Sequence, residues 1–127
     1  DIFRIIPYKD VIFIKGDMTD NETIQLIHKA IDFQSASVVL SDMAPNISGN
    51  YSVDHARSIH LSNQALKTAE HVLCSGGSFV CKVFMGESLQ DFVHRVRESF
   101  NKVKPFSPIA SRKSSSEQYI IASSYKS

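Results

Sequence analysis

Apolar residues occur along this chain in two patterns that alternate. Short apolar runs that end in polar or turn-forming residues predict β-strands or extended segments at 11–14, 37–41, 78–84, 102–106 and 117–122. Between them, apolar residues recur at helical spacing, which predicts helices over about 22–31, 53–73 and 87–100. Residues such as Pro, Gly and Asn mark the connecting loops, including one at 43–53.

The order of these elements predicts an α/β fold. Strands alternate with helices over most of the chain, which is typical of a sheet with parallel strands and helical crossovers. The last strand follows its predecessor with no helix between them, so we expect it to be antiparallel. Pro105 suits a strand at the edge of the sheet. With 127 residues and no dividing linker, the chain is predicted to form one domain at most.

Composition narrows the functional classes only slightly. The formal net charge of +1 neither requires nor excludes a nucleic-acid partner. Two cysteines do not make a disulfide framework, which favours a reducing compartment. No apolar run approaches the ~20 residues of a membrane span, so we expect no membrane contact. No histidine pairs with Cys or Glu at the spacing of a metal site, so we predict no metal.

Three charged residues stand where the strands are otherwise apolar: Asp42, Lys82 and Glu117. Each has an ordinary explanation, as a cap, as an edge lysine reaching water and as a solvated strand start, respectively. Together they suggest a site, because Asp42 and Lys82 fall at equivalent depths in consecutive parallel strands. A lysine among carboxylates acts as a base only if it loses its proton, which the carboxylates oppose.

Five motifs resemble the FtsJ/RrmJ family of S-adenosylmethionine-dependent ribose 2'-O-methyltransferases. They are Lys-Gly-Asp at 15–17, Ser-Asp-Met-Ala-Pro-Asn-Ile-Ser-Gly at 41–49, Asp-His at 54–55, Gly-Gly-Ser-Phe-Val-Cys-Lys-Val-Phe at 76–84 with Gly86, and Ala-Ser-Arg-Lys-Ser-Ser-Ser-Glu-Gln-Tyr-Ile-Ile at 110–121. They cover nearly the whole chain in the family's order. The resemblance implies a Rossmann-like class I methyltransferase sheet with helices on both faces and an antiparallel last strand.

The resemblance also implies roles for individual residues. Lys82 matches the base that takes the proton of a ribose 2'-hydroxyl, and Asp42 and Glu117 match the carboxylates that position it. Asp42 also matches a residue lining the pocket of the methyl donor, S-adenosylmethionine. Asp17 matches an acidic residue near the donor's adenine, and Asp1 matches one that binds its ribose hydroxyls.

The chain departs from the family's pattern at its beginning. The family's first catalytic Lys, its first two strands and its Gly-rich donor turn have no counterpart here. We therefore expect residues 1–127 to be the C-terminal two-thirds of a single FtsJ-like methyltransferase domain, binding donor poorly and catalysing little alone. The alternative is that another polypeptide supplies the missing strands. Without them, strand edges rich in Val and Ile would face water and favour aggregation.

The same motifs suggest a substrate and a compartment. The form of the 41–46 motif resembles the branch that acts on large-subunit ribosomal RNA, so we expect rRNA or a pre-ribosomal particle as partner and a monomeric full-length enzyme. We expect Arg112 and Lys113 to contact phosphates and Tyr51 to stack on a base or pack as a lid. The exposed cations Arg57, Lys102 and Lys104 are further candidates, although ordinary solvated charge is the better explanation for the two lysines. The 110–113 segment favours a mitochondrial location, with the cytoplasm or nucleolus as alternatives.

Two other functions compete with an enzyme. The chain could be a non-catalytic ribosome-assembly factor with a methyltransferase fold, or a generic α/β nucleotide-binding module. The presence of Asp42, Lys82 and Glu117 together favours the enzyme, whereas the missing Gly-rich turn leaves the assembly factor open. The generic module explains neither Lys82 nor Glu117.

Overall fold

The computed structural model describes residues 11–18, 20–31, 35–107 and 117–126. In these ranges, three helices and four strands follow one another along the chain. They are α1 (Asn21–Ala30), β1 (Ala36–Ser41), α2 (Tyr51–Val72), β2 (Leu73–Phe84), α3 (Leu89–Ser99), β3 (Phe100–Phe106) and β4 (Glu117–Tyr125).

The four strands form one sheet in the order β1-β2-β4-β3. β1 and β2 are parallel, and β4 runs antiparallel to both of its neighbours, β2 and β3. This arrangement confirms the predicted α/β class with an antiparallel last strand. Pro105 lies on β3, which is the outer strand of the described sheet, as its missing N–H predicts.

The hydrophobic core lies on one face of the sheet, because α2 and α3 both pack there. Alternate residues of β2 and β4 point to this face and are fully buried, namely Phe79, Cys81, Val83, Ile120 and Ala122. They meet the apolar sides of the two helices, including Ala65, Leu66, Ala69, Phe92, Val93 and Val96. Cys74 and Cys81 are both free cysteines. The residues between the core positions point to the opposite face, where the charged residues lie.

The prediction of a strand at 11–14 is wrong, since the segment has no regular secondary structure. A strand is held by hydrogen bonds to a neighbouring strand, and no described strand pairs with this segment. Ile12, Phe13 and Ile14 instead line a cavity together with Ile27 and Ile31 at the end of α1.

β2 begins earlier than predicted. The Ser-Gly-Gly segment at 75–77 was expected to lie before the strand, yet β2 runs from Leu73 without a loop. Gly76 has a φ of +84°, a conformation that glycine adopts without steric cost. The β1–β2 register is irregular here, passing from Ala36 opposite Leu73 to Val38 opposite Ser78. The glycines therefore form an irregularity inside the strand rather than a break before it.

Candidate active site

Asp42 and Lys82 meet at the carboxyl end of β1, as their positions in the sequence predicted. Ser41 lies opposite Cys81 in the parallel pair, so the next residue of each strand is again a neighbour. The Lys82 Nζ lies 3.0 Å from the Asp42 Oδ1, which makes a hydrogen-bonded ion pair. The Lys82 side chain is 18% exposed and that of Asp42 is 73% exposed, so the Asp42 carboxylate faces solvent.

Glu117 and Tyr119 complete this cluster from β4. The Glu117 Oε2 lies 3.9 Å from the Lys82 Nζ, and Tyr119 is the residue directly opposite Lys82 in the sheet. The Tyr119 hydroxyl donates a hydrogen bond of 3.0 Å to the Asp42 Oδ1. These four residues are called the Lys82 cluster below. Sequence reasoning missed Tyr119, although its spacing of two from Glu117 in a strand places both on one face.

Electrostatic interactions in the Lys82 cluster favour the charged forms of Asp42 and Lys82. The hydrogen bond from Lys82 lowers the pKa of Asp42, burial opposes this shift, and the bond from Tyr119 lowers the pKa further. The hydrogen bond to Asp42 raises the pKa of Lys82, with additional attraction from Glu117. The bond that Tyr119 donates to Asp42 raises the pKa of the phenol. At neutral pH the cluster therefore holds the Lys82 ammonium between carboxylates.

A row of buried polar residues on α2 holds the backbone that follows the Lys82 side chain. The Ser62 hydroxyl donates to the Lys82 carbonyl over 3.2 Å, and the Ser58 hydroxyl accepts from the Phe84 N–H over 2.8 Å. His55, Ser58 and Ser62 follow one another at helical spacing, so they share one side of α2. All three are buried. Sequence reasoning placed His55 in the 54–55 motif without a role, and it missed Ser58 and Ser62.

His55 connects the end of β2 to the beginning of α3. Its Nδ1 lies 3.0 Å from the Phe84 carbonyl oxygen, and the Ser88 N–H lies 3.0 Å from its Nε2. A carbonyl only accepts and a backbone N–H only donates, so Nδ1 carries the proton and the ring is neutral. A Cβ on Gly86 would approach this ring to 2.4 Å, which explains why a glycine stands there.

The loop that follows Asp42 is closed by Asp54 at the start of α2. The buried Asp54 carboxylate accepts from the Ser48 N–H over 2.9 Å and from the Ser48 hydroxyl over 2.8 Å. These bonds, with a smaller contribution from Gly49, lower the pKa of Asp54. Asn50 caps α2 by accepting from the Val53 N–H. The 54–55 motif therefore acts on two loops, since Asp54 holds the one after β1 and His55 the one after β2.

The remaining predicted site residues lie elsewhere. Asp17 lies in the turn before α1, where its carbonyl accepts from the Asp20 N–H. Tyr51 begins α2, and its hydroxyl donates to the Met85 carbonyl while its ring is largely exposed. Its roles as a stacking residue or as a lid residue stay predictions. Asp1, Arg112 and Lys113 lie outside the described residues.

The part of the chain that the structure describes contains no candidate metal site. Within it, no three His, Cys, Asp or Glu side chains lie together as a metal site would require. None of the described helices combines the length and apolar character needed to cross a lipid bilayer.

Comparison with known proteins gives a family and a fold. The family model described as FtsJ-like methyltransferase matches residues 2–125. The fold is similar to the crystal structure of a protein described as a ribosomal RNA methyltransferase from Plasmodium falciparum, with a TM-score of 0.83. The match covers 94% of this chain and 66% of that one at 21% identity, so it supports the fold alone.

Curated relatives are similar in sequence as well. Proteins named ribosomal RNA large subunit methyltransferase E match from Halorubrum lacusprofundi (51% identity over 89% of this chain and 42% of that protein) and Methanosarcina acetivorans (46% over 98% and 46%). The protein of that name from Francisella tularensis subsp. novicida is 44% identical over 99% of this chain and 61% of its own length. The chain thus spans about half the length of the curated relatives it matches.

Proposed function

Because this chain belongs to the FtsJ-like methyltransferase family, we propose that it serves in the 2'-O-methylation of a ribose in large-subunit ribosomal RNA. The observation that carries the proposal is the Lys82 cluster, in which an amine lies among two carboxylates and a phenol at the carboxyl ends of parallel strands. Ligands of open α/β sheets bind beyond these ends. The names of the curated relatives support ribosomal RNA as the substrate.

The methyl donor proposed is S-adenosylmethionine. The donor supplies a methyl group on a positively charged sulfonium, which is a good leaving group. Asp42 fits such a ligand, because its carboxylate is exposed, is ionised well below neutral pH and lies at the end of β1. The roles of Asp17 beside the adenine and of Asp1 at the ribose hydroxyls stay predictions.

Lys82 is proposed as the base. It would take the proton of the 2'-hydroxyl as the ribose oxygen bonds to the methyl carbon and the carbon–sulfur bond breaks. Only the neutral amine accepts a proton, and Asp42 and Glu117 favour the ammonium. A positive charge bound beside Asp42 would weaken that preference, because nearby like charge lowers the pKa of a lysine. Glu117 and Tyr119 are then placed to orient the amine and the hydroxyl.

The test compares three variants of the full-length protein. Lys82→Met removes the amine at nearly constant length, Lys82→Arg keeps the positive charge but cannot act as a base, and Lys67→Met removes an exposed lysine of α2 as control. Methyl transfer to large-subunit rRNA is measured with labelled donor, and the modified ribose is mapped. We expect both Lys82 variants to keep the fold and to lose about 10²–10⁴-fold in kcat, and the control to lose nothing.

Other results would redirect the assignment. Activity retained in Lys82→Arg alone would mean that the cation matters for electrostatics and that another group takes the proton. Full activity in both variants would reject Lys82 as a participant. A wild-type protein that binds rRNA without transferring methyl groups would favour the non-catalytic assembly factor.

The compartment and the oligomeric state are proposed from the sequence. We propose a mitochondrial protein that is monomeric at full length, with the cytoplasm or nucleolus as alternatives. The curated relatives described above are archaeal and bacterial, so they give no support for a mitochondrial location. A fluorescent fusion of the full-length protein, imaged beside mitochondrial and nucleolar markers, distinguishes the three compartments.

A further inference from the structure

A groove beside the outer strand β3 is lined by positively charged side chains. It has a volume of about 630 Å³, and its charged lining residues are Arg97, Lys102, Lys104 and Lys126. We propose that this groove binds the phosphate backbone of single-stranded RNA adjacent to the nucleotide that enters the Lys82 cluster. The proposal rests on the proposed function and names the surface that would hold its substrate.

The register of the sheet puts two of these lysines on the face that carries Lys82. Lys82 lies opposite Tyr119, Lys104 opposite Ile121 and Lys102 opposite Ser123. Tyr119, Ile121 and Ser123 alternate along β4, so their side chains and those of their partners share one face. From ideal strand spacing and rise, the Cα atoms of Lys104 and Lys102 lie roughly 12 and 17 Å from that of Lys82. A short run of nucleotides can therefore reach all three amines.

Among the residues that the structure describes, the groove has no negative charge of its own. None of its nine lining residues is Asp or Glu, and none of its four cations forms an ion pair with a carboxylate of the described chain. Lys126 is held in place, since its N–H donates to the Ser99 carbonyl over 2.8 Å and its ammonium to the Arg97 carbonyl over 3.3 Å. Exposed lysines are common on protein surfaces. Here they converge on one concave surface, which ordinary solvated charge does not explain.

An exposed aromatic ring lies between the Lys82 cluster and the two lysines. Phe106 is opposite Tyr119 in the β3–β4 pair and is 50% exposed, on the same face as Lys82. Proteins that bind single strands combine a basic groove for the backbone with aromatic rings on which bases stack. Phe106 is therefore assigned to stack on a base next to the target ribose, while Lys104 and Lys102 hold the following phosphates.

The experiment measures binding of the full-length protein to a fluorescently labelled oligouridine over a range of salt concentrations. Lys102→Gln/Lys104→Gln is compared with Lys29→Gln/Lys67→Gln, which makes the same change in net charge at exposed lysines outside the groove. Each lost phosphate contact reduces the slope of log K against log salt by about 0.7, so the groove variant should lose about 1.4 and bind about 25-fold more weakly at 0.1 M salt. The control pair should bind like the wild type.

Phe106→Leu tests the stacking role separately, because it removes the aromatic ring and keeps an apolar side chain. It should bind oligouridine at least about fivefold more weakly with an unchanged salt slope, since stacking releases no counterions. It should bind a heparin oligosaccharide, which has no bases, like the wild type. An equal loss of affinity for oligouridine and for heparin in this variant would overturn the assignment of Phe106.

The outcomes separate this inference from the proposed function. If Lys102→Gln/Lys104→Gln has the same affinity and salt slope as the control pair, with the same thermal unfolding, the groove does not bind RNA. If the predicted slopes are found, the groove is supported even in a protein that transfers no methyl groups. In an active enzyme, the groove variant should raise KM for RNA by its loss of affinity and leave kcat unchanged, and a loss confined to kcat would contradict it.

Discussion

At the scale of single residues, Asp42 has the largest influence on the protonation of Lys82. Its hydrogen bond is the main cause of the raised pKa of Lys82, ahead of the attraction of Glu117 at 3.9 Å. The stabilisation from Lys82 is complete below its unfolded value of 10.5 and is lost as pH rises through the higher folded value. That from Asp42 is complete above 3.8 and is lost as pH falls through the lower folded value. The pair is therefore intact throughout the neutral range.

This electrostatic arrangement predicts how the rate depends on pH. If Lys82 is the base, kcat rises with pH as the amine loses its proton. Asp42→Asn removes the main cause that raises the pKa of Lys82, so the rising limb of the profile should move to lower pH. Glu117→Gln should move it in the same direction by less. The measurement is the position of the limb, not the height of the plateau, in single-turnover assays at saturating donor and RNA.

Two controls make this prediction decisive. Glu87→Gln, at an exposed carboxylate outside the cluster, should leave the limb in place. A limb that stays fixed in Asp42→Asn would mean that the group titrating in the profile is not Lys82.

The sequence was sufficient to predict the charged members of the site but not its support. Asp42, Lys82 and Glu117 stood out because charged residues interrupt apolar strands. The convergence of Asp42 and Lys82 follows from parallel pairing, whereas Glu117 reaches Lys82 through the antiparallel β2–β4 pair. Tyr119 contacts Asp42 only because of the β2–β4 register, which no local pattern specifies. His55 and Ser58 resemble ordinary helix residues until their backbone partners on β2 are known.

At the scale of elements, α2 is joined to the end of β2 by polar contacts within an otherwise apolar interface. The buried side chains of His55, Ser58 and Ser62 satisfy backbone groups of Lys82 and Phe84. Buried polar groups are costly unless hydrogen-bonded, so these contacts specify one position of the helix against the strand.

The contact between His55 and Gly86 predicts a coupled pair of mutations. Gly86→Ala places a Cβ about 2.4 Å from the His55 ring and should destabilise the fold by about 1–3 kcal/mol. His55→Ala should cost about 1–3 kcal/mol, because the Phe84 carbonyl and the Ser88 N–H lose their partner. The double variant should lose less than the sum, since the smaller side chain at 55 removes the clash.

Urea unfolding of the four proteins in this double-mutant cycle measures the coupling. Gly49→Ala is the control for glycine replacement, because its Cβ would have no neighbour within 4 Å and its cost comes only from its φ of +89°. That cost should be the same with His or Ala at position 55. Strictly additive free energies for Gly86→Ala and His55→Ala would contradict the proposed clash.

The elements themselves were largely predictable, and the errors have physical reasons. Helix periodicity located α1, α2 and α3 to within a few residues, because each buries one apolar side. The strand at 11–14 was wrong because strand formation depends on a partner that the segment does not have among the described strands. β2 was predicted too short because Gly76 was interpreted as a break, whereas the sheet accommodates its positive φ as an irregularity.

At the scale of the whole molecule, the two faces of the sheet differ in character. One is covered by α2 and α3 and forms the buried hydrophobic core. The other carries the Lys82 cluster and the basic groove, together with Val38 and Leu40 of β1, which are exposed apolar residues. β1 pairs with β2 on one side and with no described strand on the other. An unpaired strand edge with large apolar side chains favours association between molecules.

This asymmetry predicts that the 127-residue chain alone self-associates, and that Leu40 is the main cause. Leu40 is 74% exposed on β1, which together with β3 forms the two outer strands of the described sheet, and its neighbour across the pair is Val80. Leu40→Lys should shift association to higher protein concentration, because a charge at a strand edge opposes edge-to-edge pairing. Leu26→Lys is the matched control, since Leu26 is 50% exposed but lies on α1, where no strand edge is available. Sedimentation velocity across a concentration series measures the effect. Equal association of Leu40→Lys and the wild type would place the contact elsewhere, whereas equal suppression by Leu26→Lys would indicate general hydrophobicity rather than the edge of β1.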